Sequence, residues 1–116
     1  MPQRYESVWE FYPFYLSQHR NGACRVLHFI GTTTVLVLCS KALLQGPIWL
    51  FALLPIAGYG PAWLGHFVFE KNKPATFTYP FYSLLSDWIM WFDILRLKLP
   101  LVGQLDDSML AGESNE

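Results

Sequence analysis

The side chains best suited to chemistry are three histidines, His19, His28 and His66, and two carboxylates, Glu70 and Asp87. His66 and Glu70 stand four apart at the end of a long apolar run that begins before Gly58 and closes on Lys71, Lys73 and Pro74. On a helix that spacing puts both on one face. An imidazole and a carboxylate are costly to bury there unless they pair with or bind something. Imidazoles suit zinc, iron, copper or nickel rather than magnesium or calcium, and histidines with a carboxylate and open positions are typical of non-haem Fe(II) that handles dioxygen. A catalytic zinc would use the same residues. The set is a candidate metal centre, with His19, His28 and His66 as nitrogen ligands and Glu70 and Asp87 as oxygen ligands. The competing reading is a purely structural polar network.

Composition limits what surrounds this set. The chain has 116 residues, enough for one domain; 53% are hydrophobic, 17% aromatic and 15% charged. A soluble domain carries about 25% charge, so the deficit points to a membrane. A net charge of -1 and the lack of a recognition motif argue against a nucleic-acid partner. No nucleophile elbow, P-loop or dinucleotide fingerprint occurs, and no signal peptide is expected. Cys24 and Cys39, if on one helix, lie roughly 22 Å apart, too far for a disulfide. They read as buried apolar thiols.

The elements that must position the histidines follow from the pattern. Ser7 and Glu10 form a capping box opening a helix over residues 5–18, which Pro13 should kink or break. Its six aromatics suit an interfacial or re-entrant helix. Residues 23–44 form an apolar run of about 22 residues, roughly 33 Å of helix and enough to cross a bilayer. Gln45-Gly46-Pro47 is a turn. Residues 47–69 form the second run, bent at Pro55 and Pro61, with Gly58, Ala62 and Gly65 as a groove for close helix contact. A fourth helix over 79–99 opens at Pro80 after a Thr76/Thr78 cap and either spans or re-enters. The reading is an all-α integral membrane bundle of about four helices over residues 1–103, followed by a disordered acidic tail over 104–116.

This topology gathers the chemistry. The first run leaves one side and the second returns to it, so all three histidines, Glu70 and Asp87 fall within one leaflet's depth. Arg4, Arg20, Arg25, Lys71 and Lys73 share that side and Lys41 alone marks the other, so the histidine side is expected to be cytoplasmic. Arg96 and Lys98 join the histidine side only if the last helix re-enters.

Tyr12-Pro-Phe-Tyr15, His19-Arg-Asn21, His28-Phe-Ile-Gly31 and Gly65-His66-Phe-Val-Phe-Glu70-Lys-Asn-Lys-Pro74-Ala75 together resemble a family of small membrane proteins. Its fungal members are Fe(II)-dependent 2-hydroxy fatty acid dioxygenases; the match covers roughly residues 7–100 and fits the short, bacterial-type branch. The resemblance implies Fe(II) held by His19, His28 and His66 as the catalytic residues, and a long-chain 2-hydroxy acid and dioxygen as substrates. It implies carboxylate and substrate contacts from Arg20, Asn21, Arg25, Lys71 or Lys73. Fungal members have extra membrane sequence and a further histidine where this chain has only Gln45-Gly46-Pro47, so Asp87 or Glu70 would substitute as a ligand. Two other readings compete: a non-enzymatic membrane protein that binds lipid or scaffolds partners, and a soluble helical domain with a greasy core. The sequence does not decide between a monomer and a homo-oligomer.

Overall fold

A computed structural model describes residues 4–108 and 110. It is all-helical. Helix α1, Val8–Ser17, starts where the Ser7 side chain accepts from Glu10 N at 3.2 Å. Pro13 sits inside it without breaking it, at the cost of the bond its missing N–H would have made to the carbonyl of Trp9. Helix α2, Gly22–Leu44, is capped by the Asn21 side chain, which accepts from Ala23 N at 2.8 Å. After a turn through Gly46 and Pro47, helix α3 runs over Ile48–Glu70. It opens as a tight 3-10 stretch, Ile48–Leu53, is regular over Leu54–Leu64, and widens to a π turn over Gly65–Glu70. Helix α4, Pro80–Leu95, begins at the expected proline, but Tyr79 is its N-cap and no side chain caps it, so the expected threonine cap is absent.

Helices α2 and α3 form an antiparallel hairpin, each 23 residues and apolar enough to cross a membrane. Only 11% and 17% of their most apolar windows is buried, whereas the core helix of a soluble protein would be mostly covered. Ile30, Val37, Leu43, Ile56, Phe67 and Val68 face outward, more contiguous apolar surface than water-soluble proteins usually expose. Small residues let the two backbones approach. Pro61 has no N–H to offer the Ala57 carbonyl, and that oxygen lies where a Cβ on Gly31 would meet it at 3.1 Å.

The α1 aromatics pack inward. Phe11, Tyr12, Tyr15 and Leu16 are buried with Met90 and Ile94 of α4, while Trp9 on the opposite face is 67% exposed. Both aspartates of α4 are bonded to tyrosines of α1: Tyr12 donates to Asp93 at 2.9 Å and Tyr15 to Asp87. Those bonds make two carboxylates tolerable in an apolar helix. At sixteen residues α4 is about 24 Å long, short of a bilayer core. The chain after it turns back, so that Pro100 and Gly103 lie against Arg25 near the start of α2. Packing continues past the expected start of the tail: Leu105 N donates to Arg20 O at 3.0 Å, and Leu105 and Leu110 are buried in the α1–α4 core. Two apolar side chains spaced to reach one cluster outweigh the acidic residues around them. Residues 111–116 of that tail lie outside the described residues.

Candidate metal centre

Three helices deliver one histidine each to a single point. His19 follows the end of α1, His28 lies in the second turn of α2, and His66 sits in the π turn of α3. All three are at most 5% exposed. Ring centroids are 4.4 Å apart for His19–His28 and His19–His66, and 4.9 Å for His28–His66. The hairpin expectation holds: imidazoles far apart in sequence are neighbours.

The hydrogen bonds fix which nitrogen faces inward. His19 Nδ1 lies 2.6 Å from Tyr15 O, and His28 Nδ1 2.9 Å from Cys24 O. His66 Nδ1 lies 2.8 Å from Asn72 Oδ1. The Asn72 amide is oriented by its other end, since Nδ2 reaches Gln18 O at 3.2 Å and a carbonyl only accepts. Each Nδ1 therefore faces an oxygen and carries the proton, leaving each Nε2 with a lone pair. Those lone pairs converge: His19 Nε2 is 3.0 Å from His28 Nε2 and 3.0 Å from His66 Nε2. Three acceptors facing one another without a donor repel; a cation between them removes the conflict. Ligands at right angles and about 2.1 Å from one ion would be about 3.0 Å apart, against about 3.4 Å for a tetrahedron. The two spacings from His19 fit imidazoles at right angles about one ion, and the oxygen partners of Nδ1 are the outer contacts that metal-bound histidines usually have. Burial first, then His28 and His66 beside it, holds His19 well below the ordinary histidine range, so it is neutral and ready to bind near pH 7.

Sequence reasoning missed two members of this region. Cys24, fully buried, brings its thiol to within 4.8 Å of the histidine nitrogens, completing a group of four potential metal donors. Its Sγ is 3.6 Å from His28 Nδ1, the outer nitrogen. Asn72 is the second, and no role is expected of it from the sequence. It is placed by Lys71, whose left-handed backbone (φ 58°) closes the helix while Asn72 N donates to His66 O at 3.0 Å. The sequence carries little signal for this, because the reversal is taken by a lysine and not by the glycine or asparagine that usually marks it.

The expected oxygen ligands lie outside the group. Glu70 accepts from Asn21 N instead, a carboxylate at the start of α2 where the helix dipole favours it. The pairing of Glu70 with His66 that the four-residue spacing suggested is replaced by Asn72, since the wider π turn changes which side chains align. Asp87 accepts from Tyr15, and burial pushes its carboxyl up to about 7 against the lowering by that bond.

The expected substrate contacts are also engaged elsewhere. Arg25, fully buried, gives Nε to Pro100 O at 2.9 Å, Nη1 to His19 O and Arg20 O at 2.9 and 2.8 Å, and Nη2 to Gly103 O. Four of its five donors thus tie the histidine loop to the chain after α4. Arg20 pairs with Asp107 at 2.7 Å, Asn21 caps α2, Lys71 turns the chain and Lys73 lies over the Phe77 ring.

Two cavities adjoin the centre. A small one, about 10 Å³, is walled by the three histidines, Tyr15, Trp63, Ser83 and others. An apolar one of about 200 Å³ lies between α2, α3 and α4, with Thr32, Val35, Leu54, Leu84 and Trp88 on its walls. His28, Tyr59, Ala62 and Asp87 line both. Arg20, Asn21, Arg25, Lys71 and Lys73 line neither.

A family model described as "2-hydroxy-palmitic acid dioxygenase Mpo1-like" matches residues 5–99. The chain belongs to that Mpo1-like family. No curated protein and no solved structure matches.

Proposed function

We propose that this member of the Mpo1-like family is a membrane-embedded, Fe(II)-dependent dioxygenase that cleaves 2-hydroxy fatty acids to carbon dioxide and the acid one carbon shorter. The observation that carries the reading is the convergence of three buried, unprotonated Nε2 atoms, that of His19 lying 3.0 Å from each of the other two. The family description supplies the substrate class.

The reaction balances without a co-substrate. A 2-hydroxy acid and dioxygen become the shortened acid, carbon dioxide and water. The C1–C2 bond breaks, four electrons leave the two carbons, and dioxygen accepts four. Iron, when bound, supplies the redox chemistry between dioxygen and substrate. The chain's own residues do the rest. His19, His28 and His66 present the donor nitrogens, and Tyr15, Cys24 and Asn72 fix their protonation. The aromatic wall of α1 and α4 keeps bulk water away. Asp87 is placed where the two cavities meet, to accept the proton of the 2-hydroxyl; a carboxyl near 7 is matched to that task at neutral pH.

The outward apolar faces of α2 and α3 favour a bilayer as the surroundings. Arg20, Arg25 and Lys71 lie at the histidine end, and the return of Pro100 to Arg25 brings Lys98 there as well. This favours a cytoplasmic histidine end. A non-enzymatic lipid binder would account for the apolar cavity, but not for three inward-facing lone pairs.

Metal analysis of anaerobically purified protein, beside His66→Ala, tests the reading. Iron in the parent, none in the variant, and a product one carbon shorter than added 2-hydroxypalmitate in air are expected. Bound iron without shortened product would refute the reaction.

A further inference from the structure

Two residues in the wall of the small cavity each carry a buried polar atom with no partner among the described residues, Trp63 its Nε1 and Ser83 its Oγ. Ser83 is 2% exposed, and the Trp63 ring is held between Tyr59 and Phe77, with centroids 5.3 and 5.1 Å away. An unpaired buried N–H is costly, and both residues share the cavity wall with the three histidines. The cavity's 10 Å³ is the room of about one oxygen atom. An indole N–H only donates, so the occupant must present an acceptor, which excludes an ammonium or an alkyl end.

The apolar cavity continues from the same point. An apolar cavity of about 150 Å³ holds the six carbons of benzene, so 200 Å³ takes roughly eight. Ala62 stands at the join, on the wall of both spaces.

We propose that Trp63 and Ser83 form the head-group subsite, donating to a carboxylate oxygen of the bound acid, while about the first eight carbons of its chain lie in the cavity between α2, α3 and α4. This inference rests on the reading of the centre as a 2-hydroxy acid site. It replaces a cationic clamp with neutral donors, consistent with Arg25 being occupied by carbonyls. It also makes Ala62 the residue that decides whether a chain can pass.

The test uses full-length protein in nanodiscs, loaded with redox-inert zinc, and calorimetric binding of 2-hydroxyoctanoate beside octane-1,2-diol, which lacks the carboxylate. Trp63→Phe keeps the ring and removes the donor; it should weaken 2-hydroxyoctanoate about tenfold or more, as expected for a bond to a charged acceptor, and change the diol less than twofold. Ser83→Ala should act in the same direction. Ala62→Phe should abolish 2-hydroxyoctanoate binding while leaving the bound zinc in place. Equal weakening of acid and diol in Trp63→Phe, or no weakening of either, would overturn the head-group assignment, whatever the parent's activity. Undiminished binding in Ala62→Phe would overturn the chain path. A parent that binds the acid with these variant effects, yet gives no shortened product with iron and air, would remove the proposed reaction and leave the subsite standing.

Discussion

Gly65 should be the position where a single methyl group does the greatest harm to metal binding without touching a ligand. It precedes His66 and faces α2, and a Cβ there would lie 3.0 Å from both Cα and Sγ of Cys24. Ordinary contacts begin at 3.4 Å, so α2 and α3 must separate by about 0.4 Å or more, against a backbone atom that cannot rotate away. The separation falls between the segments carrying His28 and His66. Metal–ligand distances tolerate about 0.2 Å, so one nitrogen leaves bonding range or the hairpin strains, at about 1–3 kcal/mol for such overpacking. Gly65→Ala should therefore weaken metal binding about tenfold or more, a loss of about 1.4 kcal/mol. Gly60→Ala is the control: it adds the same methyl to the same helix with nothing within 4 Å. Competition with a chromogenic chelator in detergent would read both. Equal metal affinity in the two variants would refute the claim that the α2–α3 approach sets the ligand spacing.

Asn72→Ala should weaken metal binding tenfold to a hundredfold by freeing the His66 ring, the usual cost of losing such an outer contact. Glu70→Gln should change it less than twofold in the same chelator assay; the reverse ranking would restore the His66–Glu70 pairing. Arg25→Met should lower stability by about 3 kcal/mol or more in denaturant titration, because four main-chain carbonyls lose their donor; a near-neutral result would free Arg25 for another role. Acid should reveal two opposed titrations in metal-free protein. His19 is held low, so below about pH 6.5 the unfolded chain binds a proton the folded chain refuses, and stability falls with acid. Asp87 is raised to about 7, so between that value and about 3.9 the folded chain holds a proton the unfolded chain lacks, and stability rises with acid. Asp87→Asn should therefore lose stability with acid more steeply than the parent, by up to about 1.4 kcal/mol per pH unit below 6.5; parallel melting profiles would count against the raised Asp87 carboxyl.

Much of this arrangement is legible in the residue pattern, because it follows from length and polarity alone. Two apolar runs joined by Gln45-Gly46-Pro47 must return to one side, which is enough to bring His19, His28 and His66 to one depth. The glycines of α3 announce a close approach for the same reason. What the pattern does not carry is local. The turn at His66 widens from α to π, a difference of one residue per hydrogen bond with no sequence mark, and it gives the imidazole to Asn72 instead of Glu70. Two of the four carbonyl partners of Arg25 come from residues 75 or more positions away, beyond any periodicity. Cys24 stands four residues before His28 on one helix, a spacing that puts both on one face; what the pattern lacks is any mark that His19 and His66 meet that face. Unpaired Trp63 and Ser83 are visible only once three helices enclose them.

The three rings are not equally secure against genetic change. His19 and His28 are oriented by main-chain oxygens, of Tyr15 and Cys24, and every amino acid encoded at those positions brings the same oxygen with it. His66 depends on one amide, at Asn72, which almost any missense codon would delete. Drift in this lineage should therefore be lenient at residues 15 and 24 as far as ring orientation is concerned, and unforgiving at 72.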